Sequence, residues 1–136
     1  MPKEESRLYP SQGQKNPRHW LHPLKNGGQN GAPKGLPHCD ELGGCLREKL
    51  NIPSGERHEL CRGVHAEQNV IIQAAVYGTS TKGATIYCTT YPCSICAKII
   101  INAEISEVVY DGDYEDNLAK KLFKDAKIRV RKFEGF

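Results

Sequence analysis

His65-Ala66-Glu67 and, downstream, Pro92-Cys93-Ser94-Ile95-Cys96 set one imidazole, one carboxylate and two thiols within a chain of 136 residues. An imidazole with two close thiols is a zinc-binding set. Structural zinc usually takes four protein ligands, whereas catalytic zinc keeps one position for water. Three evident ligands therefore predict a catalytic metal: His65, Cys93 and Cys96. Glu67 faces differently from His65 on a helix, because residues two apart do not share a face. It is predicted to act as the proton shuttle, taking a proton from activated water and returning it to the substrate. That work needs a carboxyl pKa raised towards neutrality, which burial beside an apolar ring supplies. The plainer account is a helix start with an ordinary first-turn Glu and an unrelated C-x-x-C. It explains each motif singly but not their conjunction.

The elements that position these groups are readable once the chain becomes regular after Gly63. Residues 64–77 pattern as a mostly buried helix that Gly78 ends. Residues 84–90 alternate like a strand rich in Thr, Ile and Tyr. Pro92 suits the first turn of a helix running through Cys93, Cys96, Ile99 and Ile100. A short strand over 107–111 follows, then an amphipathic helix over 114–126 with Leu118, Leu122 and Phe123 on one face. Residues 128–133 close as a strand. Strand and helix alternation at this spacing predicts right-handed crossovers and a largely parallel, three-layer α/β/α fold. His65 and Glu67 then open one helix, and Cys93 and Cys96 lie in the first turn of the next. Free N–H groups and the positive macrodipole end there favour thiolates.

Composition bounds the rest. The length suits one domain with a single core, and 38% hydrophobic with 26% charged residues is ordinary for a globular protein. A net charge of +3 is small. The basic residues near the end (Lys120, Lys121, Lys124, Lys127, Arg129, Arg131, Lys132) read as a solvated helix face and a charged edge strand rather than a nucleic-acid surface. No aromatic-studded basic groove is visible, which argues against nucleic-acid binding. No apolar run approaches the ~20 residues of a membrane span, and no signal peptide is evident. Six cysteines then read as metal ligands in a reducing cytoplasm. The glycines of residues 28–35 make no Walker-type loop, since no Gly-Lys-Ser/Thr follows them.

H-x-E with P-C-x-x-C matches the known signature of zinc-dependent nucleobase deaminases. The runs NGAPKGLPHCDE (30–41), GCLREKLNIPSGERHELCRGVHAEQN (44–69), PCSICAKIIINA (92–103) and VVYDGDY (108–114) are more specific. Together they resemble the deoxycytidylate (dCMP) deaminase family, in its bacterial and archaeal competence-protein-like branch. The resemblance covers residues 28–136. It implies a zinc hydrolase converting dCMP to dUMP for thymidylate synthesis, in a cytidine-deaminase-like fold that assembles as a homo-oligomer. It further implies that Asn30 contacts the sugar, that Val64 packs near the pyrimidine and that the backbone around Thr90 receives the exocyclic amine. Some members respond to dCTP and dTTP as effectors. The competing readings are a superfamily relative acting on free cytidine, a tRNA base or a riboflavin precursor, and a non-catalytic zinc-stabilised module. The long Cys/His insert argues against the former, and retention of Glu67 against the latter.

Several members carry a second, structural zinc in this insert. Here Cys39, Cys45, His58 and Cys61 would supply four ligands, with His38 able to replace His58. The other reading is three unpaired thiols and a surface histidine. Cys88, alone on a strand, reads as a small buried apolar residue.

Residues 1–27 depart from the resemblance. They carry four prolines and no helical or strand periodicity, so they read as an atypical arm. The family's N-terminal helix and first two strands are missing from the pattern, which leaves one face of the core open. Shifting the reading frame by one nucleotide through residues 7–21 turns Trp20 into Gly. It also makes Gln12, Gln14 and Lys15 readable as Lys or Arg, within a hairpin of family style. The arm is thus either the product of a frameshift or misassigned start, or a genuine divergent segment.

Overall fold

The computed structural model describes residues 6–9, 32–39, 41–53 and 55–134. Among them the chain runs β1 (Ser6–Tyr9), α1 (Leu46–Lys49), a 3-10 turn (His58–Leu60), α2 (Ala66–Val76), β2 (Thr85–Cys88), α3 (Ser94–Asn102), β3 (Glu107–Tyr110), α4 (Asn117–Asp125) and β4 (Arg129–Lys132). The sheet order is β1-β2-β3-β4. β2, β3 and β4 are parallel neighbours, as two successive β-α-β crossovers require. β1 runs antiparallel to β2, with Ser6 opposite Cys88 and Tyr9 opposite Thr85.

That antiparallel strand corrects the reading of the front segment as contributing no strand. Four residues just before Pro10 are too few to show an alternation. Their pairing comes instead from β2, whose backbone groups on the side away from β3 need partners. Residues 10–31, and with them the rest of the arm, lie outside the described residues.

The register explains the core. Ile86 aligns with Val108, and Val108 with Val130, so these side chains form one row on one sheet face. All three long helices pack onto it: Val70 and Ala74 from α2, Ala97 and Ile100 from α3, Ala119 and Phe123 from α4. Phe123, Ile100 and Ile86 are essentially sealed from solvent, each contributing about 1.5–3 kcal/mol. Cys88 belongs to the same cluster, the small apolar role expected of it. The other face carries Tyr87, Val109 and Arg131 in register. There Glu107, 6% exposed, is paired with both Arg129 and Arg131 of the edge strand. A buried carboxylate needs such partners. No described helix is long and apolar enough to cross a membrane.

The β2–α3 connection puts the start of α3 beside the carboxyl end of β2, where the start of α2 meets it. In open α/β sheets that end is where ligands bind.

Candidate metal centre

His65 is the N-cap residue of α2 and Cys93 the N-cap of α3. Both helices therefore begin two residues later than the sequence pattern suggests. Cys93 stands at the cap rather than in the first turn, and Pro92 precedes it. The backbone of each cap residue is fixed by the first helical bond, Asn69 N–H to His65 O at 2.9 Å and Ala97 N–H to Cys93 O at 2.8 Å. Gln68 Oε1 also accepts the His65 N–H at 2.9 Å. With both caps held, the side chains converge. His65 Nδ1 lies 3.2 Å from Cys96 Sγ and 3.6 Å from Cys93 Sγ.

These separations suit a metal. Zn–S bonds of about 2.3 Å and Zn–N bonds of about 2.0 Å in a tetrahedron require N···S distances of about 3.5 Å. Among the described residues, His65, Cys93 and Cys96 are the group of three such side chains whose ligand atoms all lie within 4.8 Å of one another. The donor chemistry agrees. The Cys96 thiol hydrogen-bonded to Cys93, and next to it His65, draw Cys93 far below the usual thiol range, to about 4. The same pairing, with burial and the Glu67 carboxylate close by, pushes Cys96 up. The two sulfurs thus contend for one proton, a conflict that a dication relieves by accepting both as thiolates.

Glu67 is buried, at 6% exposure, and its Oε2 accepts from Cys96 Sγ at 3.7 Å. It stands beside the donor group without being one of the three. Val64 and Thr90 flank the centre in sequence, and both are half-buried. Asn30 lies outside the described residues.

The insert differs from expectation. Cys39, Cys45, His58 and Cys61 do not form a second convergent group of ligand atoms. Cys39, Cys45 and Cys61 do line one cavity of about 440 Å³, together with Leu36, Leu46 and Leu60. His58 instead meets His65 edge-on, with ring centroids 5.0 Å apart. Its Nδ1 is buried without a hydrogen-bond partner. His38 Nδ1 accepts the Ala32 N–H at 3.3 Å. The reason is local: residues 58–60 form a 3-10 turn that carries His58 towards the start of α2.

One polar residue near the centre was not singled out by sequence reasoning. Asp116 Oδ2 accepts the Ser94 N–H at 3.2 Å, and Oδ1 accepts the Ala119 N–H at 2.9 Å. Asp before an amphipathic helix is a readable N-cap signal. Its second partner, 22 residues upstream, leaves no such signal.

Known proteins resemble the chain on several counts. It is 41% identical over 109 residues to ComE operon protein 2 of Bacillus subtilis (strain 168), covering 79% of this chain and 53% of that protein. It is 39% identical over 109 residues to the deoxycytidylate deaminase of Saccharomyces cerevisiae, covering 78% of this chain and 33% of that one. The chain thus spans about half of the first relative's length and a third of the second's. A crystal structure of the dCMP deaminase from cyanophage S-TIM5, in complex with dCMP and dUMP, matches with a TM-score of 0.63 at 23% identity, over 96% of this chain and 80% of that one. At that identity the likeness establishes the fold, which is cytidine-deaminase-like. The deoxycytidylate deaminase resemblance read from the sequence is borne out by these relatives. The model of the MafB19-like deaminase family matches residues 54–136, a span that holds His65, Glu67, Cys93 and Cys96, and the chain therefore belongs to that family.

Proposed function

We propose that the protein hydrolyses dCMP to dUMP and ammonia, supplying dUMP for thymidylate synthesis. The observation that carries this reading is the buried Glu67 carboxylate beside a His65/Cys93/Cys96 donor set of zinc-like spacing. The choice of dCMP among pyrimidine and purine amines rests on the relatives, several of which are named deoxycytidylate deaminase. Bound zinc would supply the Lewis acidity that makes water nucleophilic near neutral pH.

His65, Cys93 and Cys96 hold the metal, and the two helix starts keep positive dipole ends directed at the reacting region. Glu67 receives the proton of the attacking water and delivers it to the pyrimidine ring nitrogen. It next takes the remaining proton from the hydroxyl added to the ring carbon and passes it to the exocyclic amine, which departs as ammonia while the carbonyl of the uracil forms. Burial keeps that carboxylate out of bulk water, so the proton is handed to the base rather than lost. Val64 packs against the pyrimidine, the backbone at Thr90 accepts the exocyclic amine and Asn30 contacts the sugar. Residues 28–136 make up the catalytic domain, and the preceding arm lends residues 6–9 to its sheet as an edge strand.

The three cysteines that share one cavity, Cys39, Cys45 and Cys61, support a second, structural zinc in the insert. His58 stands as its fourth ligand only if the 58–60 turn rotates away from His65. The enzyme is cytoplasmic and homo-oligomeric, with exposed Ile72, Val76 and Tyr77 at the end of α2 as apolar contact surface. dCTP and dTTP are its candidate effectors.

One preparation tests these statements. Purified, zinc-supplied protein is expected to convert dCMP but not deoxycytidine. Glu67→Ala should lower the rate by about 10²–10⁴-fold while the zinc stays bound. Absence of turnover in soluble, zinc-loaded protein, or equal turnover of deoxycytidine, would overturn the reading. Metal analysis of the same sample separates two zinc ions per chain from one, and so decides the insert site. Light scattering gives the assembly, and rates with added dCTP and dTTP give regulation.

A further inference from the structure

We propose that Asp116 is a positioning residue for the metal centre, a single carboxylate that ties the start of α3, and so the Cys93 and Cys96 sulfurs, to the start of α4. The inference rests on the reading of His65, Cys93 and Cys96 as metal ligands.

A helix start leaves its first N–H groups without intrahelical partners, and the N-cap side chain normally accepts from one of them. At α3 that position is Cys93, whose side chain makes no capping bond and is turned to His65 at 3.6 Å. An N-cap side chain accepts from the second or third residue of its helix, so the sulfur does not serve the N–H of Ser94. The missing acceptor comes from Asp116, which reaches back to the N–H of Ser94, the first residue of α3, at 3.2 Å. Its other oxygen caps α4 through Ala119 N–H at 2.9 Å. Both are charge-assisted bonds at positive dipole ends. α3 and α4 also pack against each other, so the carboxylate pins two packed helices at their common end. Cys93 and Cys96 both ride on α3, whereas His65 rides on α2. Any slide or rotation at the start of α3 shifts both sulfurs relative to the imidazole.

An ordinary N-cap of α4 would need the Ala119 bond alone. The two roles separate by reach. Serine caps a helix about as well as aspartate, yet its hydroxyl is too short to span to Ser94 as well. Asp116→Ser should therefore lower the melting temperature of the zinc-free protein by no more than about 5 °C, the cost of the one lost hydrogen bond. Its zinc affinity, read by competition with a chromogenic chelator, should fall about tenfold. The thiolate-to-metal band of the cobalt-substituted protein should shift. Under dCMP turnover, kcat should drop with KM unchanged. Asp116→Asn, which keeps one acceptor oxygen, should fall between the two.

The proposal is overturned if Asp116→Ser binds zinc as tightly as wild type with the same cobalt spectrum. It is equally overturned if affinity falls only in step with melting temperature across Asp116→Ser, Asp116→Asn and Asp116→Ala. Zinc binding is read without substrate, so failure of the dCMP reading leaves this test intact. Failure of wild type to bind zinc would instead sink the metal reading itself.

Discussion

Cys93 and Cys96 are one residue type three positions apart, yet their surroundings push them in opposite directions. Spacing identifies such a pair, but only geometry shows that the two sulfurs stand in unlike surroundings. Tyr91, two residues before Cys93, shows a similar effect in the core. It is 4% exposed, with the Tyr110 ring at 4.7 Å and the Phe123 ring at 6.2 Å. Burial, followed by the charge of Tyr110, Glu115 and Asp116, raises its phenol to about 12 from 10.0. The folded state therefore holds its proton where the unfolded chain has lost it. The stability this gives is complete below pH 10 and falls as the pH rises through 12, by the order of 2 kcal/mol. Urea titrations of wild type and Tyr91→Phe should coincide near neutrality and diverge above pH 10, with the phenylalanine variant the less sensitive. Parallel curves to pH 12 would refute the burial argument. At this scale the donor set and Glu67 were legible, because their types and spacing are themselves the signal. His58 and Asp116 were not, because a 3-10 turn and a contact 22 residues away in sequence decide what they touch.

At the scale of elements, the helices and parallel strands were readable from periodicity, whereas their ends were not. α4 was expected from residue 114 and begins at Asn117, since Asp116 caps there and the residues before it form the turn that brings the cap to α3. That turn depends on Gly112, whose φ is +79° and whose added Cβ would lie 3.4 Å from Thr89 O and 3.9 Å from Thr90 Cγ2. Gly78 provides the comparison, with φ +68° and nothing within 4 Å of a Cβ. Alanine at either position meets the left-handed strain of roughly 1–2 kcal/mol. Gly112→Ala adds the close approach to the Thr89–Thr90 segment. Both variants should lose stability by denaturant midpoint, and Gly112→Ala alone should raise KM for dCMP. An unchanged KM would mean that the 89–90 segment does not contact substrate.

For the whole molecule the question is what holds α2 against α3 where their starts meet. The core row of Ile86, Val108 and Val130 fixes both helices to the sheet by apolar contact, and it lies away from that junction. At the junction itself two positive dipole ends and two sulfurs contending for a proton face one another, an arrangement that gains little without a cation. The front of the chain adds β1 at the sheet's edge, through backbone pairing that no side-chain pattern announces, which is why it escaped the sequence reading. Metal should therefore act as a cross-link between α2 and α3. A ligand bound only by the folded state at 100 times its Kd adds about 2.7 kcal/mol. For a domain of this size that is a rise in melting temperature of about 10 °C. Chelation followed by zinc addition should move the transition reversibly by that amount. His65→Ala and Cys93→Ser should remove the share of the shift that this centre supplies, whereas Glu67→Ala should keep it, because that carboxylate stands beside the donor set rather than in it. A zinc shift undiminished by His65→Ala would place the stabilising metal elsewhere, in the cavity shared by Cys39, Cys45 and Cys61.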